Sequence, residues 1–278
     1  MDEEKLLRLK NIIAGYKSAI VAFSGGVDSA FLARIAGEVL GGEKLLLVTA
    51  TSSTYPGSEL DDSKRIAALL SLPQRIIESE ELEIPGFSEN SPQRCYYCKK
   101  TLFSHIREIA KKEGFDIVFD GANADDQNDF RPGARAAKEL GIRSPLSETG
   151  WSKGEIREYS RFLGLPTAEK PSLACLASRF PYGERITKKK LDRVGEAEKY
   201  LRDLGFTQLR VRSHGDLARI ELIENEIEIG WQKRSLIQAA CKNAGFIFVA
   251  IDTQGYRTGA MNEVIEPCDS AKKYPKDT

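Results

Sequence analysis

Ala22-Phe23-Ser24-Gly25-Gly26-Val27-Asp28-Ser29 is the stretch whose reading decides the fold. It follows an apolar run, Ala19 to Phe23, with the composition of a buried strand. It precedes Ala30 to Ala36, whose apolar residues recur at helical spacing. A strand, a Gly-Gly turn and a helix N-terminus in succession make an anion site. The glycines let backbone approach closely, while unpaired amide N–H groups and the helix dipole point at the charge. Ser24 and Ser29 add hydroxyl donors. The chain has no Gly-Lys-Ser/Thr, which excludes a Walker A loop. The plain alternative is an ordinary glycine-rich turn, but the strand-to-helix boundary on which the motif sits favours the anion site.

Outward from this turn, strand and helix patterns alternate. Leu6, Leu7, Leu9, Ile12 and Ile13 predict an amphipathic helix over 4–18. Lys44 to Ala50 reads as a second buried strand, and Thr51-Ser52-Ser53 as a polar strand end, where an open α/β sheet binds its ligand. Leu60 to Leu72 reads as a helix, Arg75 to Ile77 as a strand, and Leu102 to Lys112 as a helix stopped by Gly114. Asp116 to Asp120 is a further strand, leading into Gly121-Ala122-Asn123-Ala124-Asp125-Asp126. The alternation predicts a doubly wound parallel sheet. Gly121 and Asn123 then sit at a strand's carboxyl end, placed to line an adenosine pocket, with Asp125 or Asp126 fixing the next loop. A plain Asx-rich turn accounts for the same residues.

Ser152 to Phe162 has the pattern of a helix opened by a capping box, Ser152 with Glu155, and Leu163-Gly164-Leu165-Pro166 stops it. We expect a first domain over 1–166, a hinge loop over 167–186 carrying Cys175, a small C-terminal α+β domain over 187–268 and a frayed tail over 269–278. The C-terminal domain reads as a helix (187–204), an antiparallel hairpin (207–213 and 217–223, turning at Gly215-Asp216), a helix (226–243) and a strand (246–252).

With 278 residues, 41% of them hydrophobic, the chain can bury a full core. Lys+Arg and Asp+Glu are both 41, a balance that argues against a dedicated nucleic-acid binder. The charged start, Met1-Asp2-Glu3-Glu4-Lys5, and the lack of a long apolar run argue against a secretory signal and a membrane span, so the expected location is the cytoplasm. Five cysteines in that setting suggest metal or catalytic use rather than disulfides.

Arg94-Cys95-Tyr96-Tyr97-Cys98-Lys99 carries the second signal, a C-x-x-C whose two thiolates can face one metal. Cys175 is distant in sequence but in a loop. Three thiolates suit a 4Fe-4S cluster with one open iron; tetrahedral zinc, with His105 or His214 as fourth ligand, a redox pair, and three unrelated thiols all stay open. Cys241 reads as core, on a helix face with Ile237 and Ala240, and Cys268 has no assigned role. Arg210, Arg212 and His214 alternate along one strand and share a face suited to phosphate or carboxylate, with Arg257 nearby in sequence to the last strand. A solvated row of charge explains the same pattern. Glu198 and Glu221 are two isolated carboxylates that a divalent cation could use.

Ser24 to Ser29 resembles the PP-loop of ATP pyrophosphatases, which cut ATP between the α- and β-phosphates. With Arg94–Lys99, Asp120–Asp126, Ala174–Thr187 and Asp252–Gly259, the chain resembles the ATP-dependent sulfur transferases that build the nickel-pincer nucleotide cofactor of lactate racemase, over about residues 10 to 265. The resemblance implies an ATP site of Ala22, Ser24, Gly25, Gly26, Asp28, Ser29, Gly121 and Asn123, with Asp28 holding Mg²⁺. It implies a pyridinium dicarboxylate mononucleotide as substrate, its carboxylate adenylylated and then converted to a thiocarboxylate. Arg210, Arg212 and Arg257 would hold the substrate phosphate, Arg179 would face the activated carboxylate or AMP, and Glu198 and Glu221 match acidic positions. Family members with one cysteine, at the position of Cys175, give up its sulfur. This chain adds Cys95 and Cys98, and resembles the version that carries a 4Fe-4S cluster fed by a sulfide donor. Trimer-based hexamers are implied as well. Rival classes are a PP-loop tRNA thiolase, an amidating NAD or GMP synthetase, and a non-enzymatic nucleotide sensor.

Overall fold

A computed structural model describes residues 2–54, 57–128, 132–171, 174–257 and 259–263. The expected tail and Cys268 lie outside the described residues. The chain divides into two compact units, residues 1–175 and 176–278.

The first unit runs α1 (Glu3–Ala14), β1 (Ala19–Ala22), α2 (Val27–Leu40), β2 (Leu45–Thr51), α3 (Gly57–Leu69), β3 (Gln74–Glu78), α4 (Arg94–Glu113), β4 (Ile117–Phe119), α5 (Pro132–Glu139), α6 (Pro145–Glu148) and α7 (Lys153–Phe162). Its four strands are parallel, in the order β3-β2-β1-β4. β1 is central because both of its faces are apolar, as a sheet covered on two sides requires. Ala19 and Val21 pack with Leu9, Phe31, Leu32, Trp151 and Ile156. Ile20, pointing the other way, packs with Leu46, Val48, Phe103, Ile106 and Val118. Helices therefore cover both faces, which is the doubly wound arrangement. Phe31, Trp151 and Tyr159 tie α2 to α7, with ring centroids 5.0 Å apart for the first pair and 5.4 Å for Trp151–Tyr159.

The second unit holds α8 (Lys188–Asp203), β5 (Leu209–His214), β6 (Leu217–Leu222), α9 (Glu224–Gln232), α10 (Arg234–Asn243) and β7 (Phe248–Ile251). The sheet order is β5-β6-β7, antiparallel then parallel. The hairpin is the expected one. The expected single helix over 226–243 is instead two, broken at Lys233, whose ammonium donates to the Leu204 carbonyl at 2.7 Å. Leu191, Val194, Ala197 and Leu201 form the buried stripe of α8, and Cys241 is buried in α10 as expected.

Candidate functional site

The turn after β1 is built for close backbone approach. Gly25 has φ of 69°, and a Cβ there would stand 2.7 Å from the Ser63 Cα of α3. Gly26 is the N-cap residue of α2 and has no side chain to satisfy the first amides, which leaves the helix N-terminus open to an anion. The two serines organise the turn. The Ser24 and Ser29 hydroxyls are 3.2 Å apart, the Gly26 amide donates to Ser24 Oγ at 3.3 Å, and the Ser24 amide donates to Ser29 Oγ at 3.3 Å. Ala22 ends β1, and Phe23 continues the ladder by donating its amide to the Val48 carbonyl at 2.8 Å. Gly121 lies where a Cβ would be 3.1 Å from the Ser29 amide nitrogen, so the loop after β4 closes over the start of α2.

Asp28 is the meeting point of three elements. Asn123, buried in the loop after β4, donates to Asp28 Oδ1 at 3.4 Å. The Lys153 ammonium, from the first residue of α7, forms a salt bridge with Asp28 Oδ2. Lys153 is held there by its own backbone, whose amide donates to Asp125 Oδ2 at 2.8 Å. The capping box fixes the helix start: the Ser152 amide donates to Glu155 Oε2 at 2.7 Å and the Glu155 amide to Ser152 Oγ at 3.3 Å. Burial alone would raise the Glu155 carboxyl, but hydrogen bonds from Lys5 and Ser152 outweigh it and bring it down to about 2. Lys153 was missed in the sequence. Its signal was available, a lysine directly after an N-cap serine and therefore aimed by the helix start.

Cys95 and Cys98 lie in the first turn of α4, at i and i+3, so they share a face. Burial pushes the Cys98 thiol up to about 12, and Cys175, Glu81 and Cys95 add to the rise while Lys99 opposes it. Among the described residues, no group of three or more His, Cys, Asp or Glu side chains is gathered closely enough to hold a metal ion.

In the second unit, the charged residues form a buried lattice. Glu198, fully buried on α8, accepts from Arg179 Nε at 2.6 Å and Nη2 at 3.1 Å, from Arg202 at 2.8 Å and from the Val211 amide at 3.1 Å. Those arginine bonds keep its carboxyl below the ordinary range although burial would raise it. Glu221 accepts from Arg212 at 2.8 Å and Arg219 at 3.0 Å. The two glutamates considered as cation ligands are thus engaged by guanidinium groups. Arg210, buried on β5, lies over the Tyr256 ring with its guanidinium carbon 4.9 Å from the centroid, and burial with the nearby charge of Arg179 lowers it to about 10. Arg257 is partly exposed and pairs with Glu263 at 2.9 Å. The shared face of β5 read from the sequence is a buried one for Arg210 and Arg212, while His214 is exposed.

No helix among the described residues is long and apolar enough to cross a membrane. Residues 3–110 match the family model described as NAD synthase. A tRNA-specific 2-thiouridylase of a Wolbachia species is 26% identical over 202 residues, 59% of this chain and 54% of that protein. An uncharacterised protein of Synechocystis is 43% identical over 267 residues, 95% of this chain and 99% of that one. The pyridinium-3,5-bisthiocarboxylic acid mononucleotide synthase of Lactiplantibacillus plantarum is 37% identical over 245 residues, 88% of this chain and 89% of that one. NAD synthase-like similarity is confined to the first unit, whereas the last two proteins match through both. The parallel sheet, the Gly25-Gly26 cradle and this full-length similarity lead to one assignment: the chain belongs to the family of the pyridinium-3,5-bisthiocarboxylic acid mononucleotide synthases, among the PP-loop ATP-utilising enzymes.

Proposed function

We propose that this protein adenylylates a carboxylate of a pyridinium dicarboxylate mononucleotide and converts it to a thiocarboxylate, a step toward a nickel-pincer cofactor. The observation that carries the reading is the anion cradle at Gly25-Gly26, in a chain similar over 88% of its length to a pyridinium-3,5-bisthiocarboxylic acid mononucleotide synthase. A carboxylate oxygen attacks the α-phosphorus of ATP, and the bond to pyrophosphate breaks. The amides at Gly25 and Gly26, with Ser24 and Ser29, hold the leaving pyrophosphate, where charge builds up. Asp28 offers hard carboxylate oxygens at the start of α2, the kind Mg²⁺ takes, and a cation there would compete with the Lys153 ammonium at Oδ2. Mg²⁺ held there would neutralise the polyphosphate.

The acyl adenylate is an electrophile that the free carboxylate is not. Hydrosulfide adds to its carbonyl carbon, AMP departs with the C–O bonding pair, and the proton on sulfur is lost to solvent. Arg210, Arg212 and Arg257 would hold the substrate phosphate, and Arg179 the activated end. Cys95, Cys98 and Cys175 would be the residues to hold a 4Fe-4S cluster, and such a cluster would serve as a source of sulfide for the acyl adenylate. A second reading is favoured by the lack of a gathered ligand group among the described residues. In it, the Cys175 thiolate attacks the acyl adenylate and expels AMP. Loss of the Cys175 Cα proton then breaks its Cβ–S bond, leaving the thiocarboxylate and a dehydroalanine.

Anaerobic reconstitution with iron and sulfide, followed by turnover with ATP and the pyridinium substrate, separates the two. The cluster reading expects several thiocarboxylates per chain, an unchanged mass at residue 175, and loss of iron and multiple turnover in Cys98→Ser. Dehydroalanine at 175 after one turnover, with Cys98→Ser fully active, overturns it.

A further inference from the structure

The segment that leads to Cys175 is pinned from two elements. Arg157, on α7, donates through Nη1 to the Ala168 carbonyl and through Nη2 to the Lys170 carbonyl at 2.8 Å. The Lys170 ammonium lies 2.9 Å from Glu59 Oε2 and 2.9 Å from Asp62 Oδ2, both on α3. The Lys170 side chain is 13% exposed and that of Glu59 is 10% exposed, so this is an interior ion pair. Removing one member of such a pair costs far more than removing an exposed one. Burial alone would raise the Asp62 carboxyl, yet Lys170 and Arg65 hold it below its ordinary range.

The same helix closes the anion turn. Ser63, whose Cα would meet a Cβ at Gly25, follows Asp62 directly and lies four residues, about one helical turn, after Glu59. The Gly25 turn therefore abuts α3, and α3 carries the two carboxylates that meet Lys170. A cavity of about 390 Å³, whose lining includes Asp62, Ile66, Pro166, Thr167 and Lys170, flanks this contact. Cys175 is five residues beyond Lys170. At about 3.3–3.6 Å per extended residue, its Cα stays within roughly 18 Å of the anchor.

We propose that Lys170 is a positioning residue that couples nucleotide binding at the Gly25-Gly26 turn to the placement of Cys175, through Glu59 and Asp62 of α3. The proposal rests on the reading that the turn binds ATP and that Cys175 serves the sulfur step. The test is the rate of Cys175 alkylation by iodoacetamide, read by peptide mass spectrometry, with and without Mg²⁺ and α,β-methylene-ATP. Nucleotide affinity is measured in parallel by calorimetry. In the wild-type chain the nucleotide should change the Cys175 rate by about fivefold or more. In Lys170→Met the change should fall below about twofold, with the nucleotide Kd held within about twofold, and Lys170→Arg should restore it.

Persistence of the full response in Lys170→Met overturns the coupling. So does a wild-type chain that binds nucleotide with no response at Cys175, although the ATP-site reading then survives. A roughly tenfold weaker nucleotide Kd in Lys170→Met would make Lys170 a ligand and not an anchor. Failure of the wild-type chain to bind nucleotide removes the ATP-site reading and the coupling with it. Should Lys170→Met fail to fold, the Glu59→Gln/Asp62→Asn double variant, which keeps the lysine and removes both charges it meets, decides the same question.

Discussion

Asp28 is a single carboxylate on which a lysine and an asparagine from two other elements converge. We expect Asp28→Ala to abolish AMP and pyrophosphate formation while the chain stays folded, as measured by pyrophosphate release and circular dichroism. Release of ADP by the wild-type chain would remove the proposed α,β cleavage. The arginines need different treatment from one another. Arg212 is buried against Glu221, so Arg212→Ala strands a buried carboxylate with Arg219 alone and should cost about 3–5 kcal/mol of stability in denaturant unfolding. Arg257 pairs with an exposed Glu263, and its removal should change stability by less than about 1 kcal/mol. Arg257→Ala is therefore the variant in which substrate binding can be read. Calorimetry should show it weakened by about 1.5–3 kcal/mol with ATP affinity unchanged, and equal loss of both would end the phosphate role.

At the scale of the element, the start of α7 sets where Lys153 points. Glu155, held at about 2 against an ordinary value of 4.5, favours the folded state above its unfolded pKa, and this contribution is lost as pH falls through its folded value. Acid unfolding of the wild-type chain should therefore show a stability decline between about pH 4.5 and 2 that Glu155→Gln flattens. A thermal-melt series across that window checks it, and identical profiles would remove the role of the cap. This helix was legible, because Ser152 and Glu155 announce it locally. So were β1, the Gly25 turn and α2, where apolar run, glycines and helical spacing coincide. The start of α4 was not. Apolar periodicity starts only at Leu102, whereas the helix begins at Arg94 with no side-chain cap, and its first turn is polar and aromatic. Periodicity is silent there, so the sequence told that Cys95 and Cys98 could face one way but not that a helix makes them do so. The break at Lys233 was hidden for the opposite reason, since helical spacing continues through it and a side chain reaching to Leu204 makes the turn. The burial of Arg210 and Arg212 depends on Glu198 and Glu221, which lie on other elements, and no local pattern records such a pairing.

Taken as a whole, the molecule holds two tryptophans, Trp151 buried in the first unit and Trp231 60% exposed in the second. Unfolding changes the surroundings of Trp151 far more, so fluorescence follows the first unit. A nucleotide analogue at about 100 times its Kd should raise the stability read by fluorescence by about 2.7 kcal/mol. Trp151→Phe should erase most of the signal, and an unmoved transition with bound nucleotide would argue that the site lies elsewhere. The turn at Gly25 also sets what inheritance can repair. A side chain at Gly26 would approach Ser24 Oγ at 3.3 Å, a hydroxyl that another substitution can remove. A side chain at Gly25 would meet the Cα of residue 63, an atom present in every amino acid. A search for second-site suppressors should therefore recover them for Gly26→Ala, including changes at Ser24 that restore folding, and none at position 63 for Gly25→Ala. One glycine of the pair can drift with a neighbour; the other is fixed by an atom that no mutation deletes.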